Sequence, residues 1–121
     1  MSLFGKEDGI DEESCLLIYD NSYDFYKTVL KTFEKEIEKT VISMRTSFDA
    51  HEVEEYRILV HGLKGSGGSA GATHLVELAT RSNALIKEGK WDEATQYHEP
   101  IIKELERLIE LIPLRISEHT A

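Results

Sequence analysis

The chain reads as an all-α protein: an antiparallel up-down four-helix bundle with a short extra helix on its N-terminal side. Three observations predict this class. Apolar residues recur at intervals of three or four through most of the sequence. No segment alternates convincingly with period two, so no strand is assigned. The breaks between periodic stretches are short, as antiparallel neighbours require.

Each element follows from local signals. Met1 to Gly9 is polar and glycine-containing, and residues 1–8 are expected to form a flexible lead. Asp11 can cap a short helix running to about Tyr19, and Asn21-Ser22 breaks it. Ser22 can cap the next, whose stripe is Tyr26, Leu30, Phe33, Ile37, Val41, Met44 and Phe48. Asp49 and Glu52 form an Asp-x-x-Glu capping pattern expected to start the third long segment. Gly71 is its expected stop, with Thr73 capping a helix that uses Leu75, Leu78, Ala79, Leu85 and Ile86 and ends at Gly89. Trp91 and Asp92 open the last element, striped by Ala94, Tyr97, Ile101, Leu105, Leu108 and Ile112. Pro100 predicts a kink or break near Tyr97 to Glu99, and Pro113 is expected to limit the end. The domain is thus expected over residues 9–116, with 117–121 a tail.

Composition excludes several classes. One cysteine, Cys15, rules out an internal disulfide and fits a reducing compartment, here expected to be the cytoplasm. The longest apolar runs, Cys15 to Tyr19 and Leu111 to Leu114, fall far short of the ~20 residues a membrane span needs. The net charge of −9 argues against nucleic acid, which requires a basic face.

Against this background one segment stands apart: His61-Gly62-Leu63-Lys64-Gly65-Ser66-Gly67-Gly68-Ser69-Ala70-Gly71-Ala72. Wound as a helix, it gathers Val53, Tyr56, Leu59, Val60, Leu63, Gly67 and Ala70 into an arc of about 120°. His61 points about 150° from the centre of that arc, into water. Around it lie Arg57, Lys64, Gly65 and Gly68. Each glycine costs about 1 kcal/mol relative to alanine inside a helix. Close approach by another surface explains Gly65 and Gly68 beside the histidine. Charge agrees: no Asp or Glu occurs from Tyr56 through Val76, where composition would place about four. A carboxylate there would repel a bound phosphoryl group.

Other chemistries fit poorly. A Walker loop needs its lysine after the glycines, and Lys64 precedes most of them. A dinucleotide fingerprint needs a preceding strand. His51, His74, His98 and His119 lack metal-site spacing with another His or Cys and are expected at the surface. No Gly-x-Ser-x-Gly elbow is present. Trp91 is expected to pack in the core.

His61-Gly62-Leu63-Lys64-Gly65-Ser66, then Gly71-Ala72, then Leu75 and Leu78, closely resembles the signature of the histidine-containing phosphotransfer (HPt) family of phosphorelay bundles. Gly9-Ile10-Asp11, Tyr26, Phe33 and Gly89-Lys90-Trp91 extend the resemblance over roughly residues 9 to 112. It implies that His61 is phosphorylated by a receiver-domain phosphoaspartate and passes the group to another receiver. Lys64 would offset phosphoryl charge, Gly65 would leave space for the partner, and Ser66 would support the helix face. Gly62 and Gly67-Gly68 make this helix richer in glycine than the family pattern. Ile58 is the apolar docking candidate on the histidine's side, while Arg57 is a geometric assignment alone. The resemblance further implies no kinase activity of its own, no metal site, and Mg²⁺ supplied by the receiver. Expected partners are receiver domains and a hybrid sensor histidine kinase, met by a monomer. Two alternatives remain open on sequence: the phosphorylated domain of a chemotaxis-type kinase, and a receiver-binding adaptor without chemistry.

Overall fold

The computed structural model describes residues 1–120. It is helical throughout: α1 (Glu12–Ile18), α2 (Tyr23–Asp49), α3 (Val53–Ala70), α4 (Thr73–Lys87), α5 (Trp91–Ala94) and α6 (His98–Thr120). Helix α2 borders α3 and α6, and α4 borders the same two, so the four long helices close a ring around one core. Tyr26, Leu30, Ile37, Met44, Tyr56, Leu63, Leu75, Ile101, Leu105, Leu108 and Ile112 fill it, all fully buried. These are the periodic stripes of the sequence, and burying them is what makes the helices stable together.

The turns that set the functional face are specific. The Asp11 side chain accepts from the Ser14 N–H, and the Ser22 hydroxyl accepts from the Phe25 N–H, so both anticipated caps are present. Gly71 ends α3 with φ 81°, and a Cβ there would lie 2.9 Å from both Asp11 O and Cys15 Sγ. The Asp11 N–H donates to Gly71 O at 2.8 Å. Helix α1 is thereby seated on the α3–α4 turn, where only glycine satisfies both the left-handed backbone and the space.

Five expectations are corrected. The Asp49–Glu52 capping pattern does not form, because α2 itself runs on to Asp49 and the chain reverses through only three residues, with His51 at φ 55°. Thr73 does not cap α4; its hydroxyl donates to Gly9 O at 3.3 Å and ties the N-terminal segment instead. Pro100 falls in the first turn of α6, where proline is tolerated, and the anticipated break is realised just upstream as a 3-10 turn, Thr95–Tyr97. Pro113, however, does not end α6, which continues to Thr120, so residues 117–120 belong to the helix; Ala121 lies outside the described residues. Buried Ile116, and Arg115 bonded to Asp8 and Glu118, hold the helix beyond the proline.

Nor are residues 1–8 a loose lead. Leu3 and Phe4 are buried, and their N–H groups donate to the Glu12 carboxylate at 3.0 and 2.8 Å. Tyr23 donates its hydroxyl to the same carboxylate at 2.7 Å; burial first, and then that bond, push the phenol up to about 12. Asp8 accepts from Gly5 N at 2.7 Å and from Arg115 at 3.1 and 3.2 Å. Burial alone would raise the Asp8 carboxyl, but these bonds outweigh it and hold the group below its ordinary range.

The fifth correction is His98, expected at the surface and found 5% exposed. Its ring stacks on Phe48 with centroids 3.8 Å apart and planes within 4°, and its Nδ1 meets the Tyr56 hydroxyl at 2.7 Å. Trp91 packs edge-on to Tyr56 at 5.4 Å, as a core residue should.

Candidate functional site

Helix α3 presents His61 to solvent, and most of the apolar arc beneath is buried as expected: Tyr56, Val60, Leu63, Gly67 and Ala70 are buried and Leu59 is half-buried, but Val53, the first residue of the helix, is 38% exposed. His61 makes no hydrogen bond or ion pair among the described residues, so both ring nitrogens are left to solvent or a partner. Lys64 is half-buried three residues later and likewise has no carboxylate partner among the described residues. Ile58 is 54% exposed on the side of His61 nearer α2.

The glycines divide into two kinds. A Cβ on Gly67 would come within 3.0 Å of Val76 Cγ2 and 3.5 Å of Leu75 Cδ2, so this residue lets α3 and α4 approach closely. A Cβ on Gly62, Gly65 or Gly68 would meet nothing within 4 Å. Packing within the chain does not require glycine at these three positions, although each weakens the helix. Their common effect is to leave backbone bare around His61.

The serines face the other way. Ser66 Oγ donates to Gly62 O at 3.1 Å and Ser69 Oγ to Gly65 O at 3.2 Å, each one turn back along α3. Ser66 therefore braces the helix on its α2 side, in contact with the backbone rather than the imidazole. The Ser69 carbonyl accepts from the Tyr19 hydroxyl at 2.7 Å, which pins α1 against the end of α3.

Two features of the site escape a reading along the sequence. A largely apolar groove of about 410 Å³ runs beside the serines, lined by Tyr19, Phe25, Val29 and Phe33 among others, with Phe25 left 53% exposed. Ile18 of α1, 77% exposed, borders a smaller cleft of about 220 Å³ that reaches Gly68. The apolar rim of the histidine face thus comes from three helices; Phe25 stands just off the Tyr26 stripe, a signal that is visible but silent without the fold. The second feature is Glu54. It holds Arg57 through Nε–Oε2 at 3.1 Å and Nη2–Oε1 at 2.6 Å, so the Arg57 guanidinium faces a carboxylate rather than the histidine.

No group of three or more His, Cys, Asp or Glu among the described residues is arranged to hold a metal ion. No helix among them is long and apolar enough to cross a membrane.

An exposed imidazole on the bare face of a four-helix bundle, without a partner among the described residues and with a lysine three positions on, is open to a docking surface rather than set in an enclosed pocket. The Hpt domain family model matches residues 28–112, most of the chain, and the protein belongs to that family. It is a histidine phosphotransfer intermediate of two-component phosphorelays. Members are phosphotransfer carriers rather than kinases, and they interact with receiver domains and kinases in these relays. Among solved structures, histidine-containing phosphotransfer protein B (HptB) from Pseudomonas aeruginosa PAO1 is similar with a TM-score of 0.78 at 20% identity, over 90% of this chain and 96% of that one. At that identity the likeness speaks for the fold. No curated protein matches the chain.

Proposed function

We propose that His61 is the residue that carries the phosphoryl group, accepting it from a receiver-domain phosphoaspartate and yielding it to another receiver. The observation that carries this reading is the pairing of an exposed, unbonded His61 with glycines that nothing in the chain needs. A neutral imidazole keeps its proton on Nδ1 and offers the Nε2 lone pair to phosphorus. The P–Nε2 bond forms as the acyl-phosphate P–O bond breaks, and the aspartate carboxylate leaves with the bonding pair. No proton has to move in that step. Its transition state is loose and in line, so positioning and charge stabilisation do most of the work.

Lys64 leans back toward His61 along the helix, as side chains do, and offsets charge on the transferring oxygens. Gly65 and Gly68 let the receiver's surface approach the backbone, and Ile58, Phe25 and Ile18 supply apolar contact around the histidine. Mg²⁺ belongs to the receiver and neutralises its phosphoaspartate. On this reading the chain works as a cytoplasmic monomer, without ATP-dependent kinase activity or a metal of its own, and takes phosphoryl groups from receivers that include one in a hybrid sensor kinase.

The test is incubation with a panel of Mg²⁺-loaded, phosphorylated receiver domains. Acid-labile, alkali-stable phosphate on His61, absent from His61→Gln, is the expected result. Receiver binding without transfer would replace this reading with an adaptor.

A further inference from the structure

Two cations flank His61, and they are in different states. Lys64, about 60° round the helix from the histidine, has no acidic partner among the described residues. Arg57, one turn before His61 and about 40° to the same side, is held by both oxygens of Glu54. Helical side chains lean toward the N-terminus, so the imidazole overhangs the turn from which Arg57 projects, while Arg57 leans away from it onto Glu54.

We infer that Glu54 is a positioning residue that parks Arg57 in the unphosphorylated protein, and that a phosphoryl group on His61 draws the guanidinium over to itself. The inference rests on His61 being the phosphorylated residue. Three considerations carry it. The carboxylate half of the pair is solvated, with Glu54 71% exposed and Arg57 half-buried at 24%, and ion pairs open to solvent stabilise only weakly. A phosphoryl group offers close to two negative charges and the same forked geometry that guanidinium recognises in a carboxylate. Glu54 lies in the first turn of α3, where the helix dipole stabilises a carboxylate left alone. The exchange therefore costs little on the side given up. Before transfer, Arg57 is neutralised; after transfer, it adds a second cation to the phosphohistidine.

The experiment uses phosphoramidate as donor. Phosphoramidate reacts in its N-protonated form, so the P–N bond breaks as the bond to Nε2 forms and neutral ammonia leaves with the bonding pair. The ³¹P resonance of the product is then followed through a pH titration. In the wild type the phosphoryl group is expected to lose its last proton more readily than in Arg57→Gln, by about two- to fivefold in proton affinity. Glu54→Gln should ease that loss further by a similar factor, because Arg57 is released from competition. In the Arg57→Gln background the Glu54→Gln change should have little effect, and Arg57→Lys should restore only part of the shift, since an ammonium cannot fork. An equal Glu54→Gln effect in both backgrounds, or no response to Arg57→Gln, would overturn the exchange while leaving His61 as the carrier. Phosphate absent from His61 in the wild type, or found on another histidine, would overturn the underlying reading as well.

Discussion

His61 and His98 are the same side chain in opposite settings. His61 stands on the outer face of α3 with bare backbone around it and no bond to either nitrogen among the described residues. His98 is stacked on Phe48, bonded to Tyr56 and shut away where α2, α3, α5 and α6 meet. Tyr56 lies only five positions before His61, so one helix contributes to both. The contrast teaches that residue type alone does not say whether a histidine is available for chemistry. The His98 ring is taken up by packing and by Tyr56, while His61 has no bond among the described residues and stands beside glycines that cost helix stability.

The comparison can be broken most decisively at His61 itself. His61→Gln should abolish phosphate uptake and leave the thermal unfolding curve in place, since the residue touches nothing in the core. A large drop in melting temperature would show that the imidazole supports the fold. His98→Ala should do the reverse. Removing a buried ring and leaving the Tyr56 hydroxyl unpaired should cost about 3 kcal/mol in urea denaturation, with transfer rates intact at temperatures well below melting.

The glycines sharpen the same contrast. Gly65→Leu should slow transfer about tenfold or more by blocking the approach of a partner, with the bundle still folded. Gly68→Ala should raise stability by up to about 1 kcal/mol, whereas Gly67→Ala should lower it because Val76 already sits at 3.0 Å. Equal effects at the two positions, read by chemical denaturation, would erase the distinction between docking and packing glycines.

A smaller effect concerns pH. Burial pushes the His98 imidazole below its ordinary value of 6.5, against the opposing pull of Glu99 and Asp49 and with the help of Arg45. The unfolded chain then binds the proton more tightly than the folded one. The contribution of His98 is fully present above about 6.5 and is lost as pH falls from there through the depressed folded value. Unfolding free energies between pH 8 and 5 should show this decline, flattened in His98→Phe; an unchanged slope would mean that His98 titrates as if exposed. Smallest of all, Lys64→Ala should slow transfer only a few-fold, since it removes one charge partner from a partly solvated site.

The bundle was legible because its stripes are long and regular: Tyr26 to Phe48 and Ile101 to Ile112 can be sided by period alone. The candidate site was legible for the opposite reason, as glycines and a gap in acidic residues interrupt a sequence otherwise rich in Glu. What stayed hidden depends on distant partners. Leu3 and Phe4 form no periodic pattern, and their burial rests on Glu12 and on the far end of α6. His98 is covered by the Phe48 and Tyr56 rings from two other helices, which no local window contains. Pro113 reads as a stop until Arg115 and Ile116 find their contacts beyond it. Glu54 and Arg57 had pairable spacing from the start, but spacing alone does not show which way the arginine turns.

The bond from Arg115 to Asp8 joins positions 107 residues apart. Such a contact cannot form until α6 has been made, so the segment around Asp8 must wait for that helix. Contacts of this range slow folding, because the loop they close has to be ordered before they contribute. The α3–α4 hairpin, whose partners are neighbours in sequence, can assemble long before. Pulse-labelling with deuterium during refolding should therefore find the Leu3 and Phe4 amides among the last to become protected, after the backbone around His61 is already in place.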